Sequence, residues 1–191
     1  LCRLIEDYGV AGRLAPGRLS AEAENIMLEA MWEYVNSRTS LADAETEESQ
    51  TWRITESENH HLQHILLAWH FAGLARSRPG FRDRKYGDGA GAKAHYAAWT
   101  AYIKRYALER ARKGLFVEVG SDNYNVIAMK GFYNVYDYAD DPELRRRAGC
   151  LLDLWWAVWA QLQIGGVQGG GRSRIYPSGG DRLGTHSHMR E

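Results

Sequence analysis

The sequence predicts an all-α fold, built from helical hairpin repeats that form part of an α/α toroid. Two observations lead to this prediction. Apolar residues recur at spacings of three and four in five separate segments, which is the periodicity of helices buried on one face. The segment Ser57–His60 (SENH) also recurs, 64 positions later, as Ser121–Tyr124 (SDNY). A period of this length covers two helices with their loops, so it indicates stacked hairpins.

Each predicted helix follows from a capping signal and an apolar stripe. The second begins after Ser57, whose hydroxyl is expected to accept a free N–H of the first turn, and the last begins at Asp141-Pro142. The last helix is apolar on much of its surface and is expected to be well buried. The acidic stretch 39–51 predicts an exposed loop. The five helices cover about 20–37, 59–76, 92–113, 122–138 and 142–163.

The chain divides into a helical region, 1–164, and a glycine-rich region, 165–191, for which a loop and a mobile tail are expected. Its 191 residues suffice for one domain with a substantial core. Cys2 and Cys150 show no framework spacing, so free thiols are expected. The chain begins without Met and without a signal-peptide pattern, which suggests a fragment or processed form that lacks flanking sequence.

The charge balance narrows the choice of partner. There are 24 acidic residues and 24 Lys and Arg residues, so no basic excess attracts nucleic acid or an anionic membrane. No apolar run approaches the roughly 20 residues that span a bilayer. The 7 Trp and 11 Tyr suit wide helix–helix gaps, and they also suit sugar-binding clefts. A polysaccharide or oligosaccharide partner is compatible with these rings, and the open side of an incomplete toroid is expected to promote self-association.

The repeat also predicts a site. In a toroid the equivalent ends of the inner helices gather at one mouth, so the two polar helix starts would converge there together with the glycine-rich loop. The expected catalytic residues are Glu58, Asn59, His60, Glu118 and Tyr124, and the expected substrate-binding residues are Trp52, Arg53, Asp122, Arg172, Arg174 and Tyr176.

Three motifs carry a resemblance to known proteins. They are W-R-x-x-x-S-E-N-H from Trp52, E-x-x-S-x-x-Y from Glu118, and G-x-x-S-R-x-Y ending at Tyr176. The pattern resembles a group of bacterial proteins with a helical toroid region, and it is distantly similar to toroid polysaccharide lyases of the heparinase and alginate-lyase kind. Such lyases use an Asn-His pair, a Tyr and an Arg. The resemblance assigns these roles to Asn59, His60, Tyr124 and either Arg172 or Arg174.

The resemblance implies cleavage of a uronate-containing glycan by β-elimination. Asn59 and protonated His60 would offset the charge of the uronate carboxylate, and Tyr124 would act as the base and then as the acid. A polysaccharide-degrading activity would place the protein in the periplasm or outside the cell. No P-loop or dinucleotide fingerprint is present, and no cofactor is expected. The acidic side chains near these helix starts, Glu56 and Glu58 among them, count against a polyuronate substrate because they would repel it.

Two other functions fit the same residues. A glycoside hydrolase needs a pair of carboxyl groups, and Glu58 with Glu118 or Asp122 would supply one. A helical-repeat protein with aromatic surfaces can also bind a glycan or a protein without cleaving it. His60 and His64 lie one turn apart on one helix face, and with Glu56 or Glu118 they have the side-chain types of zinc ligands. The HxxxH spacing alone is more typical of surface or core histidines that bind no metal, and no metal site is predicted.

Overall fold

The computed structural model describes residues 1–118, 121, 124–164 and 167–168. This part of the chain is all-helical apart from one minimal hairpin, in which β1 (Gln163–Ile164) and β2 (Val167–Gln168) pair antiparallel. A 3-10 turn covers Leu41–Ala44. The helices are α1 (Cys2–Tyr8), α2 (Ala21–Asn36), α3 (Glu48–Thr51), α4 (Glu58–Ala75), α5 (Ala92–Lys113), α6 (Tyr124–Tyr138) and α7 (Pro142–Gln161). The all-α prediction is confirmed, and the five predicted helices appear as α2 and α4 to α7.

The four long helices after residue 57 form two hairpins, α4–α5 and α6–α7. Helix α4 packs beside α6, and α5 packs beside α7. Contacts between α4 and α6 join Leu66 with Gly131 and His70 with Tyr138, so residue numbers rise together and the two helices run parallel. The starts of α4 and α6 therefore lie at the same end of the domain, as the repeat predicts.

Helix α4 is the centre of the packing. It contacts α1, α2, α5 and α6, and 13 of its 18 residues are buried. Large aromatic rings fill the space between it and its neighbours: Trp69 stacks on Tyr96 of α5 with 5.8 Å between ring centroids, and Phe71 meets Phe81 edge-on at 6.3 Å. Burial of these rings from solvent is the main source of stability for such a core.

Two local predictions need correction. Ser57 is the N-cap residue of α4, but its hydroxyl accepts no backbone bond from the first turn, because a carboxylate from a distant segment takes that place. The stretch 39–51 is not simply an exposed loop: it contains the 3-10 turn and α3, and Thr39, Ala44 and Thr51 are buried.

The prediction that α7 is well buried is wrong for much of the helix. Its buried residues are Leu144, Ala148, Leu151, Leu152 and Trp155, which lie on the face toward the core. In contrast, the side chains of Leu154 and Trp156 are each 37% exposed. The helix has more apolar residues than one packed face requires, because among the described elements its main neighbours are α5 and α6.

The closest approach of α4 and α6 depends on Gly131. A Cβ atom there would lie 2.2 Å from Leu66 Cδ1 and 3.1 Å from Leu66 Cβ. Overpacking of this kind destabilises a fold by about 1–3 kcal/mol, whereas the better helix propensity of alanine stabilises the helix by only about 1 kcal/mol. We expect Gly131→Ala to lower the free energy of unfolding in urea, by about 1–2 kcal/mol. Gly80→Ala, where a Cβ meets nothing within 4 Å, is the control and should change little.

Candidate functional site

The starts of the two hairpins are joined by two reciprocal hydrogen bonds, each accepted by a carboxylate. Glu118 Oε2 accepts the Asn59 backbone N–H at 3.0 Å, and Glu58 Oε2 accepts the Glu118 backbone N–H at 2.9 Å. Each carboxylate thus caps the segment that carries the other. The first turn of a helix has four N–H groups without intrahelical partners, so an acceptor at this point is strongly favoured. We call this arrangement the carboxylate clamp.

The side chain of Asn59 belongs to the clamp. Its Nδ2 donates to Glu118 Oε2 at 3.1 Å and to Ser57 Oγ at 3.0 Å, and its Oδ1 accepts from Gln63 Nε2 at 3.4 Å. The residue is 2% exposed. All the polar groups of this carboxamide therefore have partners inside the protein.

A buried cation lies beside the clamp. Arg110 is fully buried, and its Nε lies 3.7 Å from Glu58 Oε1. The guanidinium stacks between two rings, 3.7 Å from the centroid of Trp52 and 4.1 Å from that of Tyr106. Burial raises the pKa of Glu58, while the charge of Arg110 and the hydrogen bond from Glu118 oppose that rise. Trp52, predicted to bind substrate, is thus a stacking partner of Arg110.

A cleft of about 1070 Å³ opens on another face of α4. Its walls come from the end of α2, the 3-10 turn, the segment 50–56, the start of α1 and one face of α6. Four of the seven histidines line it, together with four cationic and two acidic side chains. These are His60, His61, His64 and His70; Arg3, Arg38, Arg53 and Lys130; and Asp43 and Glu56.

The cations of the cleft differ in how they are engaged. Arg3 is bound to Asn134 and Asp137. Within the described residues, Arg38, Arg53 and Lys130 form no ion pair, although Arg38 stacks over the ring of Tyr34 at 4.7 Å. Of the acids, Glu56 is held by His60, whose Nδ1 lies 3.2 Å from Glu56 Oε2. The unpaired charge that faces this space is therefore mainly positive.

His64 lies one turn beyond His60 and lines the same cleft. Burial lowers its pKa, so the imidazole is neutral at pH 7; the nearby Asp43 carboxylate and a hydrogen bond to the Arg38 backbone carbonyl limit this shift. A neutral imidazole has one unprotonated ring nitrogen, which can accept a proton.

His61 fixes the segment that carries Arg53. Its Nδ1 accepts the Thr55 backbone N–H at 3.5 Å, so its Nε2 carries the proton and donates to Tyr102 Oη at 3.1 Å. The Tyr102 hydroxyl in turn donates to the Gln50 carbonyl at 3.4 Å. This directional chain ties the wall of the cleft to α4 and α5.

The structure separates the predicted site residues into different places. Glu58, Asn59 and Glu118 form the buried clamp, whereas His60 and Arg53 line the cleft. Tyr124 begins α6, where its N–H donates to Ser121 Oγ at 3.4 Å, and it precedes Ile127 of the cleft wall by one helical turn. Asp122, Arg172, Arg174 and Tyr176 lie outside the described residues, as does most of 165–191.

The sequence analysis missed several residues of the cleft. Tyr34 is on α2, Arg38 follows that helix, and Lys130 is on α6 beyond the motif at its start, so only the folded chain brings them to α4. One signal was present: His64 follows His60 by four residues and so had to share its helix face.

Comparisons with protein-family models, with curated proteins and with solved structures find no match for this chain. The resemblance to toroid lyases is therefore a resemblance of sequence motifs alone.

The described part of the chain contains no cluster of three or more His, Cys, Asp or Glu side chains that could hold a metal ion. Both cysteines are free thiols, as predicted. Within the same residues, no helix combines the length and the apolar character needed to cross a bilayer.

The clamp predicts a specific loss of stability. Glu118→Ala leaves the Asn59 N–H without its acceptor, so we expect the free energy of unfolding to fall by about 1–3 kcal/mol. Glu118→Gln should lose less, because the amide oxygen still accepts a hydrogen bond. Glu33→Ala, at an exposed position of α2, is the control in the same urea titration. Equal stability of Glu118→Ala and Glu33→Ala would contradict the capping role.

His61 predicts a pH dependence of stability. Burial, followed by the charges of Arg110 and His64, lowers its pKa from 6.5 to about 4. Between these values the unfolded chain binds a proton that the folded chain does not, so the contribution is complete above pH 6.5 and is lost as the pH falls toward 4. The shift corresponds to roughly 3 kcal/mol. We expect His61→Gln to flatten this part of the stability–pH curve in urea unfolding; an unchanged slope would exclude His61 as its source.

Proposed function

We propose that this protein binds an acidic polysaccharide in the cleft of α4 and cleaves it by β-elimination. The observation that carries the proposal is the cationic lining of the cleft beside His64. Arg38, Arg53 and Lys130 offer three positive charges without ion-pair partners among the described residues. A carboxylate-bearing sugar chain is the class of polysaccharide that such a lining attracts.

Each step of the elimination has a candidate among these residues. Arg53 and Lys130, with His60, would hold the uronate carboxylate and offset its charge, which makes the C5 proton more acidic. His64 would accept that proton through its free ring nitrogen. The C5 electron pair then forms the C4=C5 double bond as the C4–O4 bond breaks.

The leaving O4 oxygen needs a proton. Tyr124, at the start of α6 and one turn from the cleft wall, is the candidate for this acid. Asn59 would act indirectly, by holding the start of α4 through the clamp.

The packing of the two hairpins supports the wider architecture that we propose, an α/α toroid. In such a fold parallel inner helices are surrounded by parallel outer helices. Helices α4 and α6 match the inner set and α5 and α7 match the outer set. Arg172, Arg174, Tyr176 and Asp122 remain proposed substrate-binding residues.

The test is a panel of polyuronates and glycosaminoglycans, scored by the ultraviolet absorbance of the unsaturated uronate that elimination leaves. We expect His64→Gln to lower kcat about 10²–10⁴-fold, because it removes the proton acceptor. Lys130→Ala should weaken substrate binding as well as turnover. Lys93→Ala, at an exposed position on α5 away from the cleft, is the control and should keep wild-type activity.

Other outcomes assign other functions. New reducing ends without the ultraviolet signal would reject the lyase and favour a hydrolase that uses Glu58 and Glu118, although both carboxylates are largely buried in the clamp. Binding without cleavage would favour a non-catalytic glycan-binding scaffold. Absence of both binding and cleavage across the panel would reject the acidic polysaccharide.

A further inference from the structure

We infer that Tyr34 and Arg38 form a second subsite in the cleft of α4, which binds the sugar next to the one that reacts. This inference rests on the proposed function and extends it to a part of the cleft that the elimination does not use. The ligand of this subsite is a pyranose ring that carries a carboxylate. Tyr34 would pack on the apolar face of the sugar, and Arg38 would bind its carboxylate. We call the pair the stacking subsite.

Tyr34 is the aromatic ring of the cleft lining that a ligand can reach. Three Tyr or Trp side chains line this space: Trp99 and Tyr102 are 1% and 0% exposed, whereas Tyr34 is 46% exposed. The guanidinium of Arg38 lies over the Tyr34 ring, 4.7 Å from its centroid. A half-exposed ring with a cation beside it offers one sugar both an apolar contact and a positive charge.

Arg38 is a cation that the protein does not engage elsewhere. Among the described residues its guanidinium forms no ion pair and no hydrogen bond, unlike Arg3, which is held by two side chains of α6. The proposed elimination uses Arg53 and Lys130 for the reacting carboxylate and leaves Arg38 without a role. Because every sugar of a polyuronate carries a carboxylate, a cation on another wall of the cleft would meet the carboxylate of a neighbouring sugar.

The stacking subsite lies beside the proposed proton acceptor. Burial lowers the pKa of His64, and the groups that act on it next are the Asp43 carboxylate, the Arg38 backbone and the Arg38 guanidinium. These groups are therefore neighbours of the imidazole, although Arg38 follows α2 and Asp43 lies in the 3-10 turn. A sugar held by Tyr34 and Arg38 would thus place the next sugar of the same chain near His64.

The wall that carries the stacking subsite is fixed from its outer side. The Asn36 carbonyl accepts the Gly87 N–H at 3.1 Å, and Asp88 Oδ2 accepts the Leu41 N–H at 2.8 Å. These two hydrogen bonds hold the backbone on either side of Arg38. Because the backbone is held before a ligand arrives, little conformational entropy is lost there on binding.

The test is calorimetric binding of acidic tetrasaccharides of polygalacturonate, polymannuronate and hyaluronan, with the ultraviolet signal of the unsaturated product followed in parallel. We expect Tyr34→Ala to raise the dissociation constant of a bound tetrasaccharide about tenfold, as the loss of an aromatic anchor does. Tyr34→Phe keeps the ring and should bind like the wild type. Tyr136→Ala is the matched control, because Tyr136 is 48% exposed on α6 but lies outside the cleft lining. Circular dichroism should show the same helicity in all three variants.

The methyl ester of tetragalacturonate separates the ring from the cation, because it keeps the sugar and lacks the charge. Arg38→Met should weaken binding of the acidic tetrasaccharide about two- to fivefold, as the loss of an exposed charge pair does, and should leave binding of the ester unchanged. Tyr34→Ala should weaken binding of both forms. If the acidic form is cleaved, Tyr34→Ala should raise KM and leave kcat nearly unchanged, because the subsite lies away from the reacting bonds.

The outcomes separate this inference from the proposed function. Cleavage with the same KM and affinity in Tyr34→Ala as in Tyr136→Ala would overturn the stacking subsite and leave the lyase standing. Binding that weakens in Tyr34→Ala without any ultraviolet product would support the subsite and reject the lyase. Equal weakening of the acidic form and the ester by Arg38→Met would overturn the role of Arg38. Absence of binding by every probe would overturn both the subsite and the acidic polysaccharide.

Discussion

The exchange of hydrogen bonds between Glu58 and Glu118 is the interaction on which the arrangement of the two hairpins depends. Each carboxylate caps a backbone N–H of the segment that carries the other, so neither segment can move alone. An unsatisfied buried donor costs about 1–3 kcal/mol, which opposes any slip of α4 against the entry to α6. Both helices also form walls of the cleft. The clamp therefore sets the position of His60 and His64 on α4 relative to Lys130 on α6.

Arg110 makes this carboxylate pair tolerable inside the protein. Two buried acids at one site repel each other, and burial alone already raises the pKa of Glu58. The guanidinium, fully buried against Trp52 and Tyr106, supplies the opposing charge. Because desolvation offsets much of the attraction in such a group, its main effect is on register: removal of Arg110 would leave the buried Glu58 carboxylate without an opposing charge.

The helices were predictable from sequence because their signals are local, as the spacing of apolar residues and the cap at Asp141-Pro142 show. The contacts of the site were not, because their partners are distant in the chain. Glu118 takes the place of Ser57 as the hydrogen-bond acceptor at the start of α4. It lies 59 residues beyond Asn59 in the chain, and no local pattern predicts this contact. The exposure of α7 could not be read from its composition either, since composition does not show how many neighbours a helix has.

The acidic crowding that the sequence shows around His60 has a different meaning in the fold. A helix turns about 100° per residue, so Glu58 and His60 are roughly 200° apart around α4, while His60 and His64 are separated by only about 40°. Glu58 therefore enters the clamp together with Glu118, and the histidines face the cleft. Among the described acids of this region, Glu56 and Asp43 line the cleft, and Glu56 contacts His60. Because Glu58 and Glu118 are engaged in the clamp, a chain of zero net charge can present a cleft in which cationic side chains outnumber acidic ones. The repulsion between Glu58 or Glu118 and an anionic ligand is thus confined to the buried clamp.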